Sequence, residues 1–150
     1  MRSFRTCLIA LTMSALACTV LLAFELQTGA DVEKQIQGTW KFVAHEMDGK
    51  AATKDELTSM KITFTGNKFS VTADGVVVQE GTQKFDPSKK PAHIDSTVTE
   101  GSDKGVTMLG IYELSGDMIK VCFDPAGKER PTSFTPKTGQ MSATVQREKK

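Results

Sequence analysis

Apolar and polar residues alternate with a period of two through most of the chain beyond residue 38, the pattern of strands buried on one face. The alternation is clearest in Met108 to Phe123, MLGIYELSGDMIKVCF. A two-residue Gly116-Asp117 loop, glycine first as a type II′ turn requires, sets Ser115 against Met118 and fixes every pair beyond it. Leu114 then faces Ile119, Tyr112 faces Val121 and Gly110 faces Phe123 on an apolar side. Glu113 meets Lys120, and Ile111 meets Cys122, on the other. A three-residue loop would bring Lys120 against Tyr112 and mix the faces. Gly110 and Gly116 are therefore structural positions, the first because the Phe123 ring can lie over a residue without a side chain.

The same rule applied upstream predicts a second hairpin. Met60, Ile62 and Phe64 point inward, a Gly66-Asn67 loop follows, and Phe64, Ile62 and Thr63 pair with Phe69, Val71 and Ser70. Asp74-Gly75 is a type I′ signal that brings Val78 opposite Val71. Continued alternation would turn Glu80 inward, whereas Phe85 demands the opposite parity, so a bulge is expected near Gly81. In Trp40 to Met47, Trp40, Phe42 and Ala44 share the inner face, with Lys41 and His45 outside. Ile94, Ser96 and Val98 form another inner face, with His93 and Asp95 outside, and Met141 to Arg147 is the last strand. Asp31 to Gly38 has the acidic start and glycine stop of a short helix, Thr53-Lys-Asp-Glu56 is a capping box, and 86–91 and 124–139 are irregular. The expected fold is all-β, an antiparallel meander of about eight strands closed into a barrel. Eight strands enclose either a filled core or room for one small ligand.

Residues 1–30 read as a signal peptide or N-terminal membrane anchor, with Arg2 and Arg5 ahead of an apolar run from Cys7 to Phe24, leaving 31–150 as one β domain. Cleavage after Ala17, Ala23 or Ala30 would export the chain to a periplasmic or extracellular location. The alternatives are an anchor retained at 7–24 or lipidation at Cys18. Formal net charge is +1, and setting aside Arg2, Arg5 and Glu25 leaves 17 basic and 17 acidic residues, which gives no field to attract nucleic acid. Membrane contact is expected only through the N-terminal segment. Cys122 stands alone in the folded part, so it reads as a small buried hydrophobe outside any disulfide.

No Gly-x-Ser-x-Gly elbow, phosphate-cradling loop or Cys/His cluster appears, and His45 and His93 are the only histidines. The expectation is a non-enzymatic domain without metal or cofactor. Its leading reading is a module for a small apolar or amphipathic ligand, with Phe64, Phe69, Val71, Val78, Tyr112 and Phe123 as the apolar wall. Glu80, Gln83 and the Tyr112 hydroxyl would orient a polar end. The alternative is an envelope or extracellular protein-interaction or structural module with a filled core, marked by an exposed apolar patch that includes Ile111 and Val77.

Gly38-Thr39-Trp40, opening the first strand after a short helix, resembles the Gly-x-Trp motif of lipocalins, and Arg147 stands where that superfamily packs a cation over the tryptophan. Trp40 and Arg147 are structural candidates on that ground. More specifically, GTWKFVAHEMDGK, FDPSKKPAHID, GIYELSGD, VCFDPAGKERP and Phe134 resemble a paralogous exported domain family of planctomycete bacteria across roughly residues 34–147. That resemblance implies a lipocalin-like β domain and carries no catalytic residues. The chain departs from lipocalins in lacking their Thr-Asp-Tyr type loop. It departs from the planctomycete pattern at Gln83, where an aromatic residue is expected, which implies a more polar interior there.

Overall fold

The computed structural model describes residues 26–149; the expected leader, with its Cys7–Phe24 run and Cys18, lies outside them up to residue 25. Helix α1 (Gly29–Ile36) is capped by Thr28, whose hydroxyl accepts from the Asp31 amide while the Asp31 carboxylate accepts from the Thr28 amide. The helix thus starts earlier than the Asp31 cap read from the sequence, and Asp31 is its third residue. Strand β1 (Gly38–Met47) follows, then β2 (Lys50–Ala51) and helix α2 (Lys54–Ser59), with the expected Thr53/Glu56 capping box. The remaining strands are β3 (Met60–Thr65), β4 (Lys68–Ala73), β5 (Val76–Asp86), β6 (Ala92–Glu100), β7 (Thr107–Ser115), β8 (Met118–Asp124) and β9 (Met141–Arg147). All pairings are antiparallel, and β1 bonds both β3 and β9. Eight strands therefore close into a lipocalin-like barrel, with the two-residue β2 hanging from the end of β1.

The two hairpins pair as the turn chemistry requires. In β7–β8 every partner from Ser115↔Met118 to Gly110↔Phe123 is the expected one, and Gly116 takes a φ of +57°. A β-carbon on Gly110 would lie 2.4 Å from the Phe123 ring, so the aromatic ring fills the space a side chain would occupy. In β3–β4, Phe64↔Phe69, Ile62↔Val71 and Thr63↔Ser70 also form.

Three bulges displace the rest of the pattern. On β1 the register against β9 shifts between Phe42 and Ala44, leaving Val43 as the extra residue. Beyond it the faces exchange, so Ala44 is exposed and His45 turns into the barrel, the reverse of the alternation reading. On β5 the shift falls between Val71↔Gln79 and Thr72↔Val77. Val78 is the extra residue there, it does not face Val71, and it is exposed. Because this bulge precedes Gln79, parity is already corrected when the chain reaches Glu80, which points outward opposite Ser70. The third shift, between Glu80↔Glu100 and Gly81↔Val98, leaves Thr99 extra on β6.

Helix α1 closes the end of the barrel where β1 begins. Val32 and Ile36 are buried beneath it with Trp40, which has no exposed surface and donates from its indole N–H to the Ile36 carbonyl at 2.7 Å. The Arg147 guanidinium lies 4.2 Å from the Trp40 ring and donates to the Gln35 and Gln37 carbonyls, tying the last strand to the end of α1. On the outer wall, Asp124 accepts from the backbone N–H groups of Ala126, Lys128 and Glu129 and so folds the irregular stretch that follows. Those bonds, that of Glu129 foremost, hold its carboxyl below the usual range. Arg130 donates to the Ile94 and Gly110 carbonyls and pairs with Asp95 at 2.7 Å, while Phe134 sits under the Lys120 ammonium. The stretch between them crosses the outer face of β7 and β8, where Ile111 is 1% exposed and Cys122 fully buried. Ile111 is thus no part of an exposed patch.

Candidate functional site

Above the Trp40 floor the inner faces enclose a cavity of about 180 Å³. Phenylalanines from five strands, Phe42, Phe64, Phe69, Phe85 and Phe123, form much of its wall. Phe69 reaches inward because Gly81, its partner on β5, has no side chain: a β-carbon there would lie 2.7 Å from the ring. The cavity opens at the end opposite α1, where Met60, Met141 and His45 line it. Thioether side chains are flexible and polarisable, so this rim can adapt its shape to what enters.

The polar groups of the wall are few. Among the described residues no Asp, Glu, Lys or Arg lines the cavity; Gln79, Gln83, Ser96 and His45 do. Gln83 and Ser96 are cross-strand partners on the inner face, both almost fully buried, and Met108 continues the row on β7. The Gln83 amide nitrogen has no hydrogen-bond acceptor among the described residues. His45 sits edge-on to Phe42, with ring centroids 6.3 Å apart. Burial lowers its pKa below the ordinary 6.5, opposed by the nearby Glu56 carboxylate of α2.

Of the residues singled out from the sequence, Phe64, Phe69, Val71, Gln83 and Phe123 meet at this cavity. Glu80 does not: the Val78 bulge puts it on the outer surface with Ser70 and Thr82. Tyr112 is buried but lies below the cavity, packed edge-on against Phe85 at 5.0 Å, and its phenol borders an outer groove with Pro87 and Pro91. Its hydroxyl, pushed up to about 12 by burial, therefore belongs to the closed end. Comparisons with family models, curated proteins and solved structures return no match for this chain.

His45 and Gln79 are the wall residues that alternation missed. Their signal was a break in that alternation: Phe42-Val43-Ala44 and Val76-Val77-Val78 are consecutive apolar residues, and each run contains a bulge. As to metals, among the described residues no three His, Cys, Asp or Glu side chains gather into a ligand set. Asp95 is engaged by Arg130 on the outer wall. Cys122 is sealed from solvent, and burial raises its thiol pKa, which suits a packing role rather than a nucleophile.

Proposed function

We propose that this chain is an exported, non-enzymatic binding module that takes up a small apolar or amphipathic ligand in the barrel interior. The observation that carries the reading is the cavity of about 180 Å³, apolar over most of its wall, sealed by α1 at one end and open at the other. Transfer of apolar surface from water into such a preformed space supplies the affinity, at roughly 25 cal/mol per Å². The resemblance to an exported planctomycete domain family supports a location outside the cytoplasm.

The test is intact mass. Protein expressed with its own leader in a bacterial envelope host is weighed under native and denaturing conditions, from soluble and membrane fractions. A cleaved, soluble chain that sheds a discrete small mass on denaturation supports the reading; a chain that carries nothing and binds no apolar probe refutes it. A second reading, an interaction or structural module, is favoured by one observation. Val76, Val77 and Val78 are 65%, 51% and 47% exposed beside the open end, which is a surface a partner protein could cover.

A further inference from the structure

The cavity's chemistry narrows what it takes, given that the interior binds a ligand as proposed above. Gln83 projects from the middle of β5 between Gly81 and Phe85 and is 5% exposed. It lines the cavity, yet its amide nitrogen finds no acceptor among the described residues. A buried donor left unpaired is destabilising, and a leucine would fill much of the same volume without that cost. Ser96, directly opposite, adds a hydroxyl that can rotate to donate or accept. The site is therefore a polar pair set into an apolar wall, with the amide as its unfilled donor.

Size and charge narrow it further. An engineered apolar cavity of about 150 Å³ is enough for benzene. The 180 Å³ here suits a molecule of about that bulk plus a short substituent, with any longer tail leaving through the open end. Among the described residues no Lys or Arg lines the wall to meet a carboxylate, burial holds His45 toward its neutral form, and a carboxylate buried without a partner would be strongly disfavoured. We propose that the cavity takes a small, neutral, largely apolar molecule bearing one carbonyl acceptor, such as a ketone, aldehyde or ester, and that the Gln83 amide donates to that carbonyl.

The experiment compares three probes of similar size by calorimetry on the full chain: acetophenone, isopropylbenzene and benzoate. Isopropylbenzene has the shape of acetophenone without its carbonyl and is the more hydrophobic, so the quantity to read is the ratio of the two dissociation constants. Gln83→Leu is expected to shift that ratio about tenfold toward the hydrocarbon, chiefly by weakening acetophenone. Removing an unpaired buried donor leaves this variant at least as stable as the parent, and Gln83→Met provides a second apolar replacement. Benzoate is expected to bind at least tenfold more weakly than acetophenone. If both neutral probes bind and their ratio is the same in parent and variants, Gln83 is not the anchor, although the binding module stands. Benzoate binding as tightly as acetophenone overturns the neutral-ligand class. If none of the three binds either protein, this inference and the proposed function fail together.

Discussion

Replacing Arg147 tests how the closed end of the barrel is held. Its guanidinium lies 4.2 Å from the ring of the fully buried Trp40, an attraction worth about 1–2 kcal/mol when the ring is desolvated. It also donates to the Gln37 carbonyl at 2.8 Å and to that of Gln35, the acceptor end of α1, where a cation is favoured. Those carbonyls can turn to water when the donor is lost, so each bond is set at about 1 kcal/mol rather than at the larger figure for a sealed site. The Asp117 contact, at 3.1 Å and more than half exposed on the acid side, adds about 0–0.5 kcal/mol. Arg147→Met forfeits all of these and regains about 1 kcal/mol through sulfur and methylene packing on the indole, for a net loss of about 2–3.5 kcal/mol. Arg147→Lys keeps a cation near the ring but loses the planar fork that reaches two carbonyls, and should cost about 1 kcal/mol. Asp117→Asn should cost less than about 0.5 kcal/mol. The assay is urea unfolding followed by the fluorescence of Trp40, the chain's one tryptophan, with stability compared at constant slope. Refutation would be Arg147→Met within about 0.5 kcal/mol of the parent, or Lys as damaging as Met.

Two further outcomes use the same assay. Gly110→Ala would place a β-carbon 2.4 Å from Phe123 and 2.9 Å from the Cys122 carbonyl, so it should destabilise by about 1–3 kcal/mol, and adding Phe123→Leu should recover part of the loss. His45 has a folded pKa below its ordinary 6.5, so the unfolded chain takes up the proton first: the stability it contributes is complete above pH 6.5 and is lost as pH falls from there through the lowered folded value. His45→Gln should therefore shrink the drop in urea midpoint between about pH 7.5 and pH 5.5, while His93, unchanged in both proteins, cancels from the comparison.

The hairpins were legible in the sequence because a tight turn couples each strand to its neighbour within a few residues. Gly116-Asp117 and Gly66-Asn67 each leave one register that separates the faces, and the barrel adopts both. The bulges were legible only as breaks in pattern. A parity conflict between Val78 and Phe85 was visible, but the run Val76-Val77-Val78 only hints at a bulge and Gly81 offers a second position for it, and that choice decides whether Glu80 or Gln79 faces the interior. His45 was misplaced for the same reason, since Val43 becomes an extra residue only against β9, a strand about a hundred positions away. The Arg130 contacts that hold the long connection over Ile111 join groups 20 to 36 residues apart, beyond the reach of any periodicity.

The seam between β1 and β9 joins Trp40 to Arg147, so the first strand of the barrel takes its second partner from the last. A chain emerging from the ribosome can form the β3–β4 and β7–β8 hairpins as they appear, but one edge of β1 stays open until β9 is made. Contacts so distant in sequence must recoup the entropy of closing a long loop before they stabilise anything, which places folding on the millisecond-to-second scale of β-rich topologies. Synthesis halted before Met141 would leave two unsatisfied edges, on β1 and β8, and a nascent chain with an adhesive sheet in place of a closed barrel.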